Sequence, residues 1–244
     1  MKKEICEPIL FIHGYAGNIF SFARMVHFFK KEGISSNRIL AFINLRGKIW
    51  LWGKPIRVGT AIQVIFLNSH ATVVQQSEWL KKLLVLLKQD KKVSQISIIA
   101  HSMGAVSVMH LFTALKNSNL VPRIKKVVYL GAPFNDKEPG KDTGKIEPIL
   151  FSSAGLLHPT KLFLKMKHKS RNIPVEIRFL NIIGNTDNGF SDGKVSVKSA
   201  QALRFLLQDP KQYKEVVFSG REATHRRLHE SQEIFETIKN FLAS

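Results

Sequence analysis

The stretch VSQISIIAHSMGAVSVM, residues 93–109, decides how the whole chain is interpreted. Its first half is a short apolar run typical of a buried strand, and its second half is an uninterrupted apolar segment of helical length. Between them stands AHSMG, residues 100–104, with small Ala100 and Gly104 two positions before and after Ser102. A strand that turns sharply into a helix at a serine forms a nucleophile elbow, which holds the hydroxyl clear of the sheet. The sequence therefore predicts that Ser102 is a nucleophile.

The rest of the chain alternates short apolar strand candidates with helical patterns. Strands are predicted at residues 8–13, 39–42, 124–130, 175–183 and 214–219, and helices at residues 21–31, 72–88 and 226–242. This alternation is typical of an α/β fold, in which a mostly parallel central sheet carries helices on both faces. Residues 44–67 place glycines and a proline between β-type residues, which indicates a hairpin-like excursion before the next helix.

Two loops supply the other groups that a serine nucleophile needs, an imidazole base and a carboxylate that orients it. The loop after the last predicted strand ends in His225, the candidate general base. The loop after the preceding strand contains two aspartates. Asp187 stands four positions after that strand, whereas Asp192 stands in an SDG turn that can direct its carboxylate beneath the imidazole. We favour Asp192 as the orienting acid and keep Asp187 as the alternative.

His229 is a rival base, but it lies a helical turn beyond the loop and is expected to cap or pack. His225 and His229 also have the spacing of half a metal site. No third ligand stands at a useful distance, and Glu233 occupies the place of the second histidine of a zincin motif. We therefore expect no metal and no other cofactor.

The negative charge that develops on a carbonyl oxygen in such a reaction needs backbone N–H donors. One donor follows the nucleophile, and the other lies in the loop after the first core strand. Those positions are Met103 and Tyr15, the latter within the loop HGYAG at residues 13–17. The glycines of this loop allow its backbone N–H groups to face a cavity. We predict that the N–H groups of Tyr15 and Met103 form an oxyanion hole.

Several short motifs together indicate a family. They are FIHG at residues 11–14, HSMG at 101–104, GAPFN at 131–135, SDGKV at 191–195, and His225 with LHE at 228–230. With these residues the chain resembles the α/β-hydrolase family of bacterial proteins of unassigned function, lipase-like proteins that are often labelled cell-surface hydrolases. The resemblance covers nearly the whole length. It implies an α/β-hydrolase fold and a triad of Ser102, Asp192 and His225, which favours Asp192 over Asp187.

Three positions depart from the family pattern. Ala100 and Ala105 stand where members usually carry glycine, and Arg226 stands where serine is common. These departures bear on the level of activity more than on the fold. The family resemblance also implies a location at the cell envelope. The chain itself shows no apolar run long enough for a secretory signal or a membrane span, so a cytoplasmic or already processed protein is expected from the residues alone.

A formal net charge of +19 makes this a strongly basic protein and calls for an anionic partner. An anionic membrane surface or cell-wall polymer fits that requirement, whereas nucleic acid is not expected because no nucleic-acid-binding module accompanies the charge. The clearest cluster lies at residues 161–171, where lysines and an arginine alternate with apolar residues. We expect this segment to be a solvated helix face, and contact with an anionic membrane is the alternative.

The length of 244 residues, without any linker-like segment, predicts one domain with an insertion at about residues 135–172. A lone Cys6 cannot form an internal disulfide, so the core must supply the stability. The insertion follows the strand after the elbow, where it would cap the site. Its candidates for lining an acyl pocket, unless they form the buried side of a helix, are Phe151, Leu156, Leu157, Leu162 and Phe163.

Together these features predict a serine hydrolase that cleaves a carboxylic ester of a small molecule or a lipid through an acyl-enzyme. Thioester hydrolysis and acyl transfer use the same groups and stay open as alternatives. The competing hypothesis is a catalytically idle protein on the same fold, which binds an anionic membrane or cell-wall polymer through its basic surface.

Overall fold

The computed structural model describes residues 7–115, 118–140, 146, 148–153, 155–186 and 189–244, so Cys6 lies outside the described residues. The described strands are β1 (Ile9–Ile12), β2 (Asn37–Ile43), β3 (Ile49–Gly53), β4 (Thr60–Phe66), β5 (Gln95–His101), β6 (Arg123–Leu130), β7 (Phe151–Ser152), β8 (Gly155–Leu156), β9 (Arg178–Asn185) and β10 (Tyr213–Ser219). The described α-helices are α1 (Ala23–Lys31), α2 (Val73–Gln89), α3 (Met103–Ala114), α4 (Lys161–His168), α5 (Val197–Gln201) and α6 (Gln232–Ala243).

Eight of the described strands form one sheet in the order β10-β9-β6-β5-β1-β4-β2-β3. Every neighbouring pair runs parallel except β2 and β3, which pair antiparallel at one edge. Helices α2 and α3 bury their apolar side chains against one face of the sheet, and α1 and α6 bury theirs against the other. The expected mostly parallel sheet with helices on both faces is confirmed.

Strand β5 shows why the sequence forms this sheet. Six of its seven residues are buried, because the strand lies in the middle of the sheet and helices cover both of its faces. Side chains alternate, so that Ile98 faces the core under α2 and α3 while Ile99 faces the core under α1 and α6. The carboxyl ends of β1, β5, β6, β9 and β10 all lie at one edge of the sheet. The loops that leave this edge carry the candidate site residues.

Residues 44–67 differ from the expected excursion. Strand β3 does form a hairpin with β2, but β4 is a core strand that lies between β1 and β2 with all seven residues buried. The polar residues Thr60 and Gln63 interrupt its apolar pattern, so the sequence does not reveal a strand covered on both sides. Strand β9 begins three residues later than predicted, since Ile177 closes a turn with Pro174.

The insertion after β6 contains the β7–β8 hairpin and helix α4 in its described part. Asn135 connects it to the sheet, because its side chain donates to the carbonyl of His158 and accepts from the N–H of Thr160. Phe163 on α4 is buried in the main core, whereas Leu157 is half exposed. The apolar side of α4 therefore faces the protein and its lysines face solvent, an arrangement that both alternatives for this segment allow. Among the described residues, no helix has the length and apolar character needed to cross a membrane.

Candidate active site

Ser102 stands where β5 ends and α3 begins. Its backbone has φ 54° and ψ −131°, a conformation that is strained for any residue other than glycine. Its N–H donates to the carbonyl of Leu130 at 2.9 Å, which holds the turn against the end of β6. The strand–turn–helix context predicted for a nucleophile elbow is therefore present around Ser102. The N-terminus of α3 points at this residue, so its partial positive charge lies where an anion would form.

Asp192 and His225 meet at the same edge of the sheet. Asp192 is buried, and its Oδ2 lies 2.7 Å from the Nδ1 of His225. Its Oδ1 accepts hydrogen bonds from the backbone N–H groups of Lys194 and Val195 at 2.9 and 2.7 Å. The main chain joins the two loops as well, since the N–H of His225 donates to the carbonyl of Asp192 at 2.8 Å. This arrangement places the proton of the ring on Nδ1 and leaves Nε2 as the basic nitrogen.

The other carboxylate considered from the sequence, Asp187, lies outside the described residues. Asp192 makes the contact with the His225 ring that an orienting acid requires. The SDG turn predicts a carboxylate directed at this ring. Its catalytic role stays a prediction.

Gly131 connects the serine to the histidine. It follows Leu130, the residue that binds the N–H of Ser102, and a Cβ atom placed on it would lie 3.0 Å from the His225 ring and 2.9 Å from the Asp192 carboxylate. Ser102 is therefore a close neighbour of the Asp192–His225 pair. The Ser102 hydroxyl has no hydrogen-bond partner among the described residues. It therefore makes no hydrogen bond to His225 in this structure. In hydrolases without substrate this bond is often long and forms only in the complex.

The loop at residues 13–17, which follows β1, also approaches Ser102 closely. A Cβ atom on Gly14 would lie 2.9 Å from the Cβ of Ser102, so only glycine permits this approach. His13 fixes the loop, because its Nε2 accepts the N–H of Phe66 while its Nδ1 donates to the carbonyl of Gly14. Burial lowers the pKa of His13, which keeps it neutral in this double role. The loop thus brings Tyr15 next to the elbow.

The two predicted oxyanion donors have suitable surroundings. Neither the Tyr15 N–H nor the Met103 N–H has an acceptor among the residues that the structure describes. Gly140 in the insertion lies against the side chains of both residues, since a Cβ atom on it would be 2.6 Å from the Cβ of Tyr15 and 2.9 Å from the Sδ of Met103. The insertion therefore contacts the two residues whose N–H groups are the predicted donors.

His101 is a site residue that sequence reasoning missed. Its Nε2 lies 3.0 Å from the carbonyl oxygen of His225, and its ring centroid lies 4.6 Å from that of His225. Burial is the chief cause that holds the pKa of His101 well below its usual value, and the neighbouring His225 and His229 lower it further. The neutral ring donates its Nε2 proton to the His225 carbonyl and so supports the loop that carries the candidate base. The only signal in the sequence was its position before Ser102.

His229, the rival base, packs between other aromatic rings. Its ring centroid lies 4.5 Å from that of His101 and 5.9 Å from that of Phe22. Burial lowers the pKa of His229, and its Nδ1 is buried without a hydrogen bond to any described residue. His225, not His229, contacts the carboxylate. No group of three potential metal ligands occurs in the described part of the chain.

Comparison with known proteins places this geometry in a family. A family model described as an alpha/beta hydrolase of unknown function, DUF915, matches residues 1–244, which confirms the family resemblance. The product of gene lin2722 from Listeria innocua has a similar crystal structure, with a TM-score of 0.84 and 26% sequence identity over 97% of this chain and 94% of that chain. No curated protein matches the sequence significantly.

Two more distant structures share the fold. The "putative cell surface hydrolase" of Lactobacillus plantarum WCFS1 has a TM-score of 0.72 and 18% identity over 98% of this chain and 90% of that chain. The lipase BlEst2 of Bacillus licheniformis has a TM-score of 0.60 and 14% identity over 98% of this chain and 92% of that chain. The fold is therefore that of the alpha/beta hydrolases, and its structural neighbours include a lipase.

Proposed function

This chain belongs to the alpha/beta hydrolases of unknown function grouped as DUF915, and from that premise we propose that it is a serine hydrolase that cleaves a carboxylic ester. The observation that carries the proposal is the Asp192–His225 hydrogen bond of 2.7 Å beside a serine in a strained elbow. A buried carboxylate bound to Nδ1 of an imidazole is the arrangement that prepares Nε2 to accept a proton from a nucleophile.

In the first half of the reaction, the Oγ of Ser102 attacks the ester carbonyl carbon and its proton passes to Nε2 of His225. The carbonyl oxygen becomes an oxyanion, which the N–H groups of Tyr15 and Met103 stabilise. His225 then returns the proton to the leaving alcohol as the C–O bond breaks. The products are the free alcohol and an acyl group on Ser102.

In the second half, water takes the place of the alcohol. Nε2 of His225 removes a proton from the water as it attacks the acyl carbon, and the same proton then goes to the Oγ of Ser102 when the carboxylic acid leaves. The Asp192 carboxylate stabilises the imidazolium in both halves. If the acceptor were another alcohol or a thiol, the same groups would perform acyl transfer, and a thioester substrate would need no additional residue.

The approach of Gly140 to Tyr15 and Met103 supports a capping role for the insertion at about residues 135–172. A segment over the oxyanion hole excludes water from the reacting carbonyl and offers its own side chains to the acyl group. Phe151 and Leu156 are the half-buried members of the β7–β8 hairpin in this insertion. We propose the hairpin, rather than the buried Phe163, as the source of acyl contacts.

A fluorophosphonate probe tests the nucleophile directly, because it forms a covalent bond only with an activated serine. We expect the wild-type protein to be labelled and Ser102→Ala to be unlabelled, with Ser219→Ala, an exposed serine on β10, as the matched control. Nitrophenyl esters of increasing acyl length then identify the substrate class. Preference for long chains indicates a lipase, and preference for short chains indicates an esterase of small molecules or of wall polymers.

The same experiment decides against the proposal if a folded wild-type sample is neither labelled nor active on any ester. That outcome favours the competing hypothesis of an idle hydrolase fold that serves as a binding protein. Labelling that persists in Ser102→Ala would place the nucleophile at another residue.

A further inference from the structure

The edge strand β3 exposes two tryptophans. Trp50 and Trp52 are 42% and 70% exposed, although tryptophan is costly to leave in water. The alternate residues Ile49 and Leu51 turn the other way and pack against the main core. The inward pair therefore contributes to the core, whereas the two outward indole rings contribute little to it.

Trp52 stands on the sheet face that the loop after β1 partly covers. Trp52 pairs in register with Leu40 of β2, and Leu40 pairs with Gln63 of β4, so these side chains share one face of the sheet. The side chain of Gln63 donates to the carbonyl of Ile19, which places the loop after β1 over this same face. The next residue, Phe20, is 78% exposed.

Basic residues accompany the exposed tryptophans and Phe20 in the sequence, and the same stretch of chain contains no acidic residue. Between Glu32 and Glu78 the sequence contains no aspartate or glutamate, and its lysines and arginines are Arg38, Arg46, Lys48, Lys54 and Arg57. All five are exposed. The Nζ of Lys48 lies 5.4 Å from the ring centroid of Trp50, so charge and aromatic ring are in contact.

We propose that this surface, the tryptophan edge, binds an anionic lipid membrane; it consists of Phe20, Arg38, Lys48, Trp50, Trp52 and Lys54. Indole rings favour the boundary between lipid headgroups and acyl chains, and adjacent lysines and arginines are attracted by acidic headgroups. The combination of both groups on one surface matches such a boundary better than it matches a purely polar polymer. Two copies of this strand would bring like charges together, which disfavours a dimer through the same edge.

The position of the tryptophan edge relates it to the candidate site. Strand β3 begins beside Ile43, at the carboxyl end of β2. Leu45 and Leu67, which follow β2 and β4 at that edge of the sheet, are 69% and 58% exposed. A membrane bound at the tryptophan edge would therefore reach the carboxyl edge of the sheet at β3, four strand positions from β5 and Ser102. Binding itself requires none of the catalytic groups, so it is independent of the reaction proposed above.

Vesicle sedimentation tests the proposal with the full chain. We expect the protein to pellet with vesicles of phosphatidylcholine and phosphatidylglycerol, to remain in solution with phosphatidylcholine alone, and to dissociate in high salt. Trp50→Ser/Trp52→Ser and, separately, Lys48→Glu/Lys54→Glu should each weaken partitioning by about tenfold or more. The matched controls lie on β10, the opposite edge of the sheet: Val217→Ser and Lys214→Glu should bind as the wild type does.

Tryptophan fluorescence gives a second measurement. The chain has three tryptophans, and the third, Trp79, is only 5% exposed. Anionic vesicles should therefore shift the emission of Trp50 and Trp52 to the blue, and Trp79→Phe should retain the whole shift. Circular dichroism of each variant checks that it is folded.

Three results would overturn the proposal. They are unchanged vesicle binding in both double variants, binding to soluble anionic polymer or DNA with none to anionic vesicles, and a concentration-dependent dimer that buries the tryptophans. Ester hydrolysis without vesicles is measured in parallel, and it should be the same in the wild type and in Trp50→Ser/Trp52→Ser. Loss of vesicle binding in that variant with intact hydrolysis separates this proposal from the catalytic one.

Discussion

The Asp192 carboxylate divides its two oxygens between different partners. Oδ1 accepts two backbone N–H groups of its own turn, and Oδ2 faces the His225 ring. The turn thus fixes the direction of the carboxylate before any substrate arrives. A side chain held in this way can determine which ring nitrogen of the histidine carries the proton.

Asp192→Asn is expected to preserve the fold and remove most of the activity. The amide can accept the same two N–H groups through its oxygen, but its NH₂ group then faces the imidazole and stabilises the wrong tautomer. We expect kcat to fall by about 10⁴-fold, as in serine proteases with the same change. Kinetics on a soluble nitrophenyl ester, with the exposed Asp90→Asn as control, measure the effect. Activity within threefold of the wild type would exclude Asp192 from the proposed triad.

His101 is expected to act as a positioning residue through the backbone of His225. His101→Phe keeps the ring contacts but loses the hydrogen bond to the His225 carbonyl, so we expect kcat to fall about tenfold with little change in KM. His101→Gln, which retains an N–H donor, should recover part of the loss. Equal losses in both variants, or a loss in KM alone, would contradict this role.

At the scale of secondary structure elements, the site depends on how closely strand ends approach one another. Gly131, at the end of β6, has φ 53°, and a Cβ atom there would lie 3.0 Å or less from Leu228, Asp192 and His225. An added methyl group must therefore displace the Asp192–His225 pair or the chain that supports it.

Gly131→Ala is expected to lower kcat by at least about tenfold, because it moves the base relative to Ser102. Gly193→Ala is the matched control. Gly193 also has positive φ, at 91°, but no atom of the described residues lies within 4 Å of an added Cβ, so the control loses about 1–2 kcal/mol of stability through backbone strain alone. Ester kinetics and urea unfolding of both variants separate displacement of the Asp192–His225 pair from backbone strain at the substituted glycine. Equal activity in the two variants would show that the close approach at Gly131 is not needed.

The elements that sequence reasoning identified are those whose signals are local. The elbow at Ser102 predicted β5 and α3 because a buried strand, a tight turn and an apolar helix follow one another directly. The order of the strands is a long-range property, and β4 lay hidden since Thr60 and Gln63 interrupt its pattern. The contact of Asp192 with His225 followed from a turn motif, but the support that His101 gives to His225 joins residues 124 positions apart and left no pattern.

For the whole molecule, the buried histidines couple stability to pH. His13, His101 and His229 lie together near the candidate site, and burial is the chief cause that lowers the pKa of each. In the unfolded chain each would titrate near pH 6.5. Below that pH the unfolded state takes up protons that the folded state does not bind. Stability is therefore fully present above about pH 6.5 and is lost as the pH falls toward the folded-state pKa values.

We expect the free energy of unfolding to decrease between pH 7 and pH 5.5, by about 1 kcal/mol for each histidine that stays neutral when folded. His101 should contribute most reliably, since its pKa is held well below the usual value by burial and by two neighbouring histidines. His101→Phe removes an imidazole whose pKa differs between the folded and unfolded states. Its free energy of unfolding should therefore decrease by about 1 kcal/mol less than that of the wild type over this interval. His27→Gln, which alters an exposed histidine on α1, should retain the wild-type slope. Urea unfolding at the two pH values measures all three proteins, and a slope for His101→Phe as steep as that of the wild type would show that His101 does not cause the pH dependence.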